Sequence, residues 1–181
     1  VCVPTGNFGN IFAAYLAREM GIPIARLICA SNRNNVLTDF IATGTYDRTR
    51  DFHKTMSPSM DILISSNLER LLYMLGGAKV TAELMDSLAQ TGKYTLPDEF
   101  LTDLREIFSG YCCTEEETAA AIRDTYENVH YLIDPHTAVG LGAVRKYRAE
   151  TGDDRVMVLA STASPYKFAA DVCRSLGVNA G

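Results

Sequence analysis

Two glycines and two asparagines stand between a short apolar run and a helix-like pattern in TGNFGN, Thr5 to Asn10. The first N–H groups of a helix have no intrahelical partner, and the helix dipole adds roughly half a positive charge at that end. Gly6 and Gly9 let the backbone approach an anion closely and permit left-handed conformations, while Asn7 and Asn10 add side-chain donors. A phosphate group fits such a loop, and so does a plain structural turn. No Lys-Ser or Lys-Thr pair follows, so this is not a Walker loop, and the glycine spacing differs from the dinucleotide fingerprint.

Two further stretches bring polar groups to helix starts. ASTASP, Ala160 to Pro165, puts three hydroxyls there. Ser164 before Pro165 is explained as an N-cap, which leaves Ser161 and Thr162 over. In DPHTA, Asp134 to Ala138, Asp134 before Pro135 is a helix start. His136 beside it reads as hydrogen-bonded structure, because no thiol or serine partner completes a nucleophilic triad. With His53 and His130 it makes no metal cluster, so no metal is expected. Cys2, Cys29, Cys112, Cys113 and Cys173 match no zinc or disulfide spacing and read as small buried hydrophobes in a reducing cytosol.

The elements that must position these groups follow from apolar spacing. Helices are expected over Asn10–Met20, from about Asn35 to Gly44, over SNLERLLYMLGG, Lys79–Gln90, Asp98–Phe108, from Thr114 to about Asn128, over His136–Glu150, and from Pro165 to Gly177. Thr114 and Glu117 form a capping box. Strands are expected at ARLICA (Ala25–Ala30), at MDILISS from Met60 and at VMVLAS from Val156, with Tyr46–Lys54 as a loop and YLI at Tyr131 as a brief strand or link. The alternation argues an α/β class: an open, mainly parallel twisted sheet with flanking helices. The chain is read as one domain, 1–181, with a middle segment, 66–128, of helices alone inserted beside the sheet. Binding crevices of open α/β sheets lie at the carboxyl ends of the strands, where TGNFGN and ASTASP would meet.

With 181 residues, a formal net charge of -5 and 47% hydrophobic residues, the chain can build a sizeable core. The acidic balance argues against a nucleic-acid or anionic-membrane surface, and no apolar run approaches the ~18 residues of a membrane span. The chain starts at Val1 with little strand before Pro4, and it is expected to be a fragment of a larger protein.

Taken in order, VPTGNFGN, ASNRNNVLTDFIATG, SPSMDILISSNLERLLY, LIDPHTAVG and STASPYKF resemble the threonine synthase family, from Val3 to Gly177. The resemblance implies the fold type II pyridoxal-phosphate (PLP) architecture, PLP as cofactor, a cytoplasmic enzyme, and conversion of O-phospho-L-homoserine and water to threonine and phosphate. It implies that Gly6, Asn7, Phe8, Gly9 and Asn10 cradle the cofactor phosphate, and that Thr162 sets its hydroxyl against the pyridine nitrogen. A hydroxyl, unlike an aspartate, does not force that nitrogen to stay protonated. Asn32, Asn34 and Asn35 are candidate substrate contacts, with turn chemistry an equal alternative.

The pattern also departs from the family. Lys54, Lys79, Lys93, Lys146 and Lys167 lie outside the family's Schiff-base motif, so that lysine is expected upstream of residue 1 and this chain alone is expected to be inactive. Ser164 stands where the family commonly has histidine. A serine or threonine dehydratase of the same cofactor class and a non-catalytic, metabolite-binding synthase-like protein remain alternatives. The middle helices leave room for a homodimer contact or an effector site, and their spacing does not choose.

Overall fold

A computed structural model describes residues 1–178. β1 (Cys2–Pro4), β2 (Leu27–Ser31) and β5 (Phe108–Cys112) form a parallel sheet in the order β1-β2-β5. Leu159 adds a single parallel bridge to Cys2 on the free side of β1. Because successive side chains of a strand point to opposite faces, β2 feeds two cores. Leu27 and Cys29 pack with Val3, Ile11, Phe40 and Phe108, while Ile28 and Ala30 pack with Cys2, Val139, Ala143 and Tyr147. Every residue of β2 is therefore buried, the signature of a parallel sheet covered on both faces.

The helices follow the expected spacing closely: α1 (Gly9–Glu19), α2 (Val36–Thr43), α3 (Leu68–Thr91), α4 (Asp98–Ile107), α5 (Glu115–Val129) and α6 (Pro135–Thr151). The two helical patterns on either side of Gly76-Gly77 are the two halves of α3, broken at Gly77 by its φ of 72° and ψ of -176°. Thr114 and Glu117 make both hydrogen bonds of a capping box. The last helix is shorter than expected: Pro165–Phe168 is a 3-10 turn, and α7 covers only Ala169–Ser175.

Three strand expectations are corrected. MDILISS forms no strand; Pro58–Met60 is a 3-10 turn, and Asp61 instead accepts hydrogen bonds from Asn32, Asn34 and Thr55. VMVLAS is not a buried strand: only Leu159 bridges, and Val156 is 93% exposed. The middle segment is not helices alone, since β5 lies in the main sheet and β4 (Lys93–Thr95) pairs antiparallel with β3 (Thr45–Asp47), inside the expected loop. Tyr46 and Tyr94 stack across that ribbon at 5.2 Å. YLI is an extended link. Among the described residues no helix is long and apolar enough to cross a membrane, and no group of three metal-ligating side chains occurs.

Candidate functional site

The carboxyl ends of β1 and of the Leu159 bridge open into a cleft of about 310 Å³. Gly6, Asn7, Phe8, Gly9 and Asn10 line one side; Thr162 and His136 stand with them, and Ser59, Met60 and Asn67 complete the wall. The two stretches expected at one sheet edge do meet there. None of the chain's lysines lines this cleft.

The loop is shaped differently from the glycine argument. The left-handed residue is Phe8, with φ 65°, whereas neither Gly6 nor Gly9 has a positive φ. A bulky residue held there costs about 1–3 kcal/mol, and the cost is offset by burial. The Phe8 ring is 1% exposed and lies 5.8 Å from the Phe108 ring. Phe8 thus gives the cleft only backbone. Gly6 is required for closeness: a Cβ there would stand 2.9 Å from the Ser59 carbonyl oxygen and 3.0 Å from Met60 Cα. At Gly9 the nearest atom would be Asn67 Nδ2, at 3.4 Å.

The consequence of this path is a run of orphan donors. Thr5 donates its N–H to Ala30 and Phe12 donates to Phe8, but the backbone N–H groups from Gly6 through Ile11 have no acceptor among the described residues. The N-cap residue of α1 makes no side-chain cap, and the first turn carries no acidic residue. The positive end of the helix dipole is therefore uncompensated at the cleft. Asn7 Oδ1 accepts from the Ser66 N–H at 2.8 Å and the Ser66 hydroxyl at 2.7 Å, which fixes the loop to the start of α3 and leaves the Asn7 NH2 group as a donor. The Ser65 hydroxyl donates to the Gly6 carbonyl at 2.8 Å.

The opposite wall hangs on Asp134. The Ser59 backbone N–H donates to His136 Nε2 at 3.2 Å, so that nitrogen carries no proton and Nδ1–H donates to Asp134 Oδ1 at 3.0 Å. Thr137 donates its hydroxyl to Asp134 Oδ2 and accepts from the Ser161 hydroxyl at 2.9 Å. Burial pushes the Asp134 carboxyl up, but the hydrogen bonds from His136 and Thr137 together outweigh it and hold it below the ordinary carboxylate range. DPHTA is thus a fastener joining the turn under Gly6 to the loop bearing Thr162. Thr162 itself is exposed and makes no hydrogen bond among the described residues.

Asn32 and Asn35 do not line the cleft. Asn32 is fully buried; its NH2 group lies 2.8 Å from Thr55 Oγ1, 2.9 Å from Ser57 Oγ and 2.8 Å from Asp61 Oδ1. Asn34 ties the same network to His53. Asn35 donates to Asp39 and accepts from Arg50 beside α2. Turn and loop bonding accounts for all three. Ser59, Met60 and Asn67 are lining residues that sequence reasoning left out, though Pro58 before Ser59 marks a tight turn and Asn67 stands directly before the α3 pattern.

Known proteins resemble this chain in sequence and in overall fold. The family described as "Threonine synthase, C-terminal" matches residues 137–180. A threonine synthase of Pseudomonas aeruginosa is 45% identical over 168 residues, covering 92% of this chain and 35% of that protein. Human threonine synthase-like 1 is 44% identical over 183 residues, covering 98% of this chain and 24% of its own length. Among solved structures, a PLP-bound threonine synthase from Brucella melitensis superposes with TM-score 0.92 at 42% identity, over 98% of this chain and 38% of that one. The yeast threonine synthase gives TM-score 0.93 at 36% identity, over 99% and 38%. The chain therefore spans about a third of the length of these synthases, and its parallel sheet with flanking helices is part of their fold type II architecture. Over the residues it has, the chain is similar in sequence and in fold to the threonine synthases.

Proposed function

We propose that this chain supplies the phosphate-holding wall of a PLP-dependent threonine synthase, a cytoplasmic lyase that converts O-phospho-L-homoserine and water to L-threonine and phosphate. The observation that carries the reading is the run of unpaired backbone N–H groups from Gly6 to Ile11 at the uncapped start of α1. Within this run Phe8 and Ile11 are buried and Gly6 is half-buried, where amides are normally paired, and a dianionic phosphate is the group that a helix start with free N–H donors accepts best. The residues present therefore fit the cofactor's phosphate.

In this reading Gly6, Asn7, Phe8, Gly9 and Asn10 hold the phosphate, mainly through backbone. Thr162 presents a free hydroxyl from the facing wall to the ring nitrogen. PLP, when bound, supplies the electron sink on which elimination and replacement at the substrate's β and γ carbons depend. The chain's own residues orient it: Gly6 sets the cradle on the Ser59 turn, and Asp134, through Thr137 and Ser161, holds the loop that carries Thr162. His136 lends no base, because its Nε2 is occupied by the Ser59 N–H. None of the chain's own lysines lines the cleft, so its residues supply no Schiff-base lysine to that wall.

The test is calorimetric titration of the protein with PLP, repeated with inorganic phosphate as competitor. Binding that phosphate displaces supports the cradle; PLP binding that phosphate leaves untouched, or none at all, removes it. A response to O-phospho-L-homoserine and not to free serine or threonine separates the synthase from a dehydratase.

A further inference from the structure

We infer that Asp134 and Thr137 are positioning residues for the cofactor, with one carboxylate oxygen setting each wall of the cleft. Oδ1 acts on the phosphate wall through the His136 ring, and Oδ2 acts on the ring-nitrogen wall through the Thr137 and Ser161 hydroxyls. The inference rests on the PLP reading of the cleft and adds that the two halves of that ligand are held separately.

Helix capping alone does not account for Asp134. Its Oδ1 accepts from the backbone N–H groups of His136 at 2.8 Å and of Thr137 at 3.3 Å, which is what an N-cap supplies. Two side-chain bonds come on top of that. His136 Nδ1 donates to the same oxygen at 3.0 Å, and Oδ2 takes the Thr137 hydroxyl. Asp134, His136 and Thr137 are each no more than 5% exposed, so these bonds are shielded from water.

Proton count fixes the direction of the second arm. An ionised carboxylate only accepts, so the one hydroxyl proton of Thr137 goes to Asp134, and Ser161 must donate to Thr137. That bond is the only one that Ser161, Thr162 or Ala163 makes among the described residues. The next ties are the Ala160 N–H to Cys2 on one side and the Lys167 N–H to Ser164 on the other. Thr162 is exposed and unbonded, so its place depends on the contact of its neighbour. The first arm has help. The Ser59 turn has its own backbone bonds, and Gly6 and Asn7 are tied to Ser65 and Ser66. Cutting the relay at Thr137 should therefore free the ring wall and leave the phosphate wall standing.

The experiment titrates the protein with PLP and, separately, with inorganic phosphate, and reads the ratio of the two affinities. Phosphate reports the cradle alone; the ratio reports what the ring adds. Thr137→Val keeps the shape and loses the hydroxyl. It should lower PLP affinity about 3- to 10-fold, the range of one neutral hydrogen bond, with phosphate affinity within about twofold. Thr137→Ser keeps the hydroxyl and should restore the ratio. Ser161→Ala breaks the same link from the exposed loop without touching the buried carboxylate, so it should match Thr137→Val and still reports where that variant does not fold. His136→Phe touches the phosphate wall and should leave the ratio unchanged. The inference is overturned if Thr137→Val and Ser161→Ala keep the wild-type ratio, if they lose phosphate affinity in step with PLP, if Thr137→Ser is no better than Thr137→Val, or if His136→Phe lowers the ratio. A wild type that binds phosphate and PLP equally would overturn it and leave the cradle standing. A wild type that binds no PLP would instead bring down the cofactor reading, and this inference with it.

Discussion

Replacing Gly6 and Gly9 by alanine, one at a time, separates close packing from left-handed geometry as the reason for the loop's glycines. At position 6 the added methyl would meet the Ser59 carbonyl oxygen at 2.9 Å and Met60 Cα at 3.0 Å, and both are backbone atoms that cannot rotate aside. The loop must lift off the 57–60 turn, at a cost of about 1–3 kcal/mol for an overpacked site. The lift also moves the N–H groups of Gly6 and Asn7 at the cleft wall. Misaligning one charge-assisted hydrogen bond removes about 1.5–3 kcal/mol, so PLP should bind about 10- to 100-fold more weakly. At position 9 the nearest atom is the tip of the Asn67 side chain at 3.4 Å, and φ is not positive. Gly9→Ala should keep PLP affinity within about twofold and gain up to about 1 kcal/mol of helix stability. Urea denaturation and calorimetry on both variants are the assays. Equal behaviour of the two, or loss of affinity in Gly9→Ala alone, would refute the packing account.

Other consequences are as direct. His136→Phe, which keeps a ring against Phe168 but loses the bonds to Asp134 and Ser59, should cost about 1–3 kcal/mol in urea denaturation, and His136→Gln, which can still accept from Ser59, should cost less. Asn32→Ala should lose about 1–3 kcal/mol by the same measurement with PLP and substrate affinity intact; an intact fold with lost substrate binding would restore Asn32 as a contact. The Asp134 carboxyl sits below its ordinary value when folded, so the stability it contributes is present above the ordinary range near ~4 and is lost as pH falls through the lowered pKa. Asp134→Asn should flatten that acid limb. Burial pushes the Cys2 and Cys29 thiols up to about 12 and that of Cys113 to about 11, so iodoacetamide at pH ~8 should label these three only after unfolding.

Helices and the cleft's two loops were legible because they depend on local signals. Asp134-Pro135, Thr114 with Glu117, and glycines after apolar periodicity mark ends whatever the chain does elsewhere. Strands were read less well, since pairing is not local. FSGYC follows α4 without a gap and carries Ser109 and Gly110, so it shows no apolar run; Gly110 packs against Thr38 of α2, which only the fold reveals. MDILISS has the apolar letters of a strand, but Asp61 is claimed by Asn32, Asn34 and Thr55. VMVLAS has the letters too, without cover on its outer side. Within the cleft, the glycines were noticed for the right loop, and the positive φ lay on Phe8 because its ring is anchored against Phe108.

The single bridge between Cys2 and Leu159 also has a bearing on the order of folding. Cys2 donates to Val158 and accepts from Ala160, and these contacts join the two ends of the described chain. Contacts between distant residues require closing a long loop, and their entropy is recovered late. β1, β2 and α1 can dock early through short connections, and the turn at Ser59 and the start of α3 follow to fix the cradle. The Thr162 wall joins only when nearly the whole chain has been laid down. Amides from Leu159 to Ser164 should therefore exchange with deuterium sooner than those of β2, and the two walls of one cleft should belong to different cooperative units.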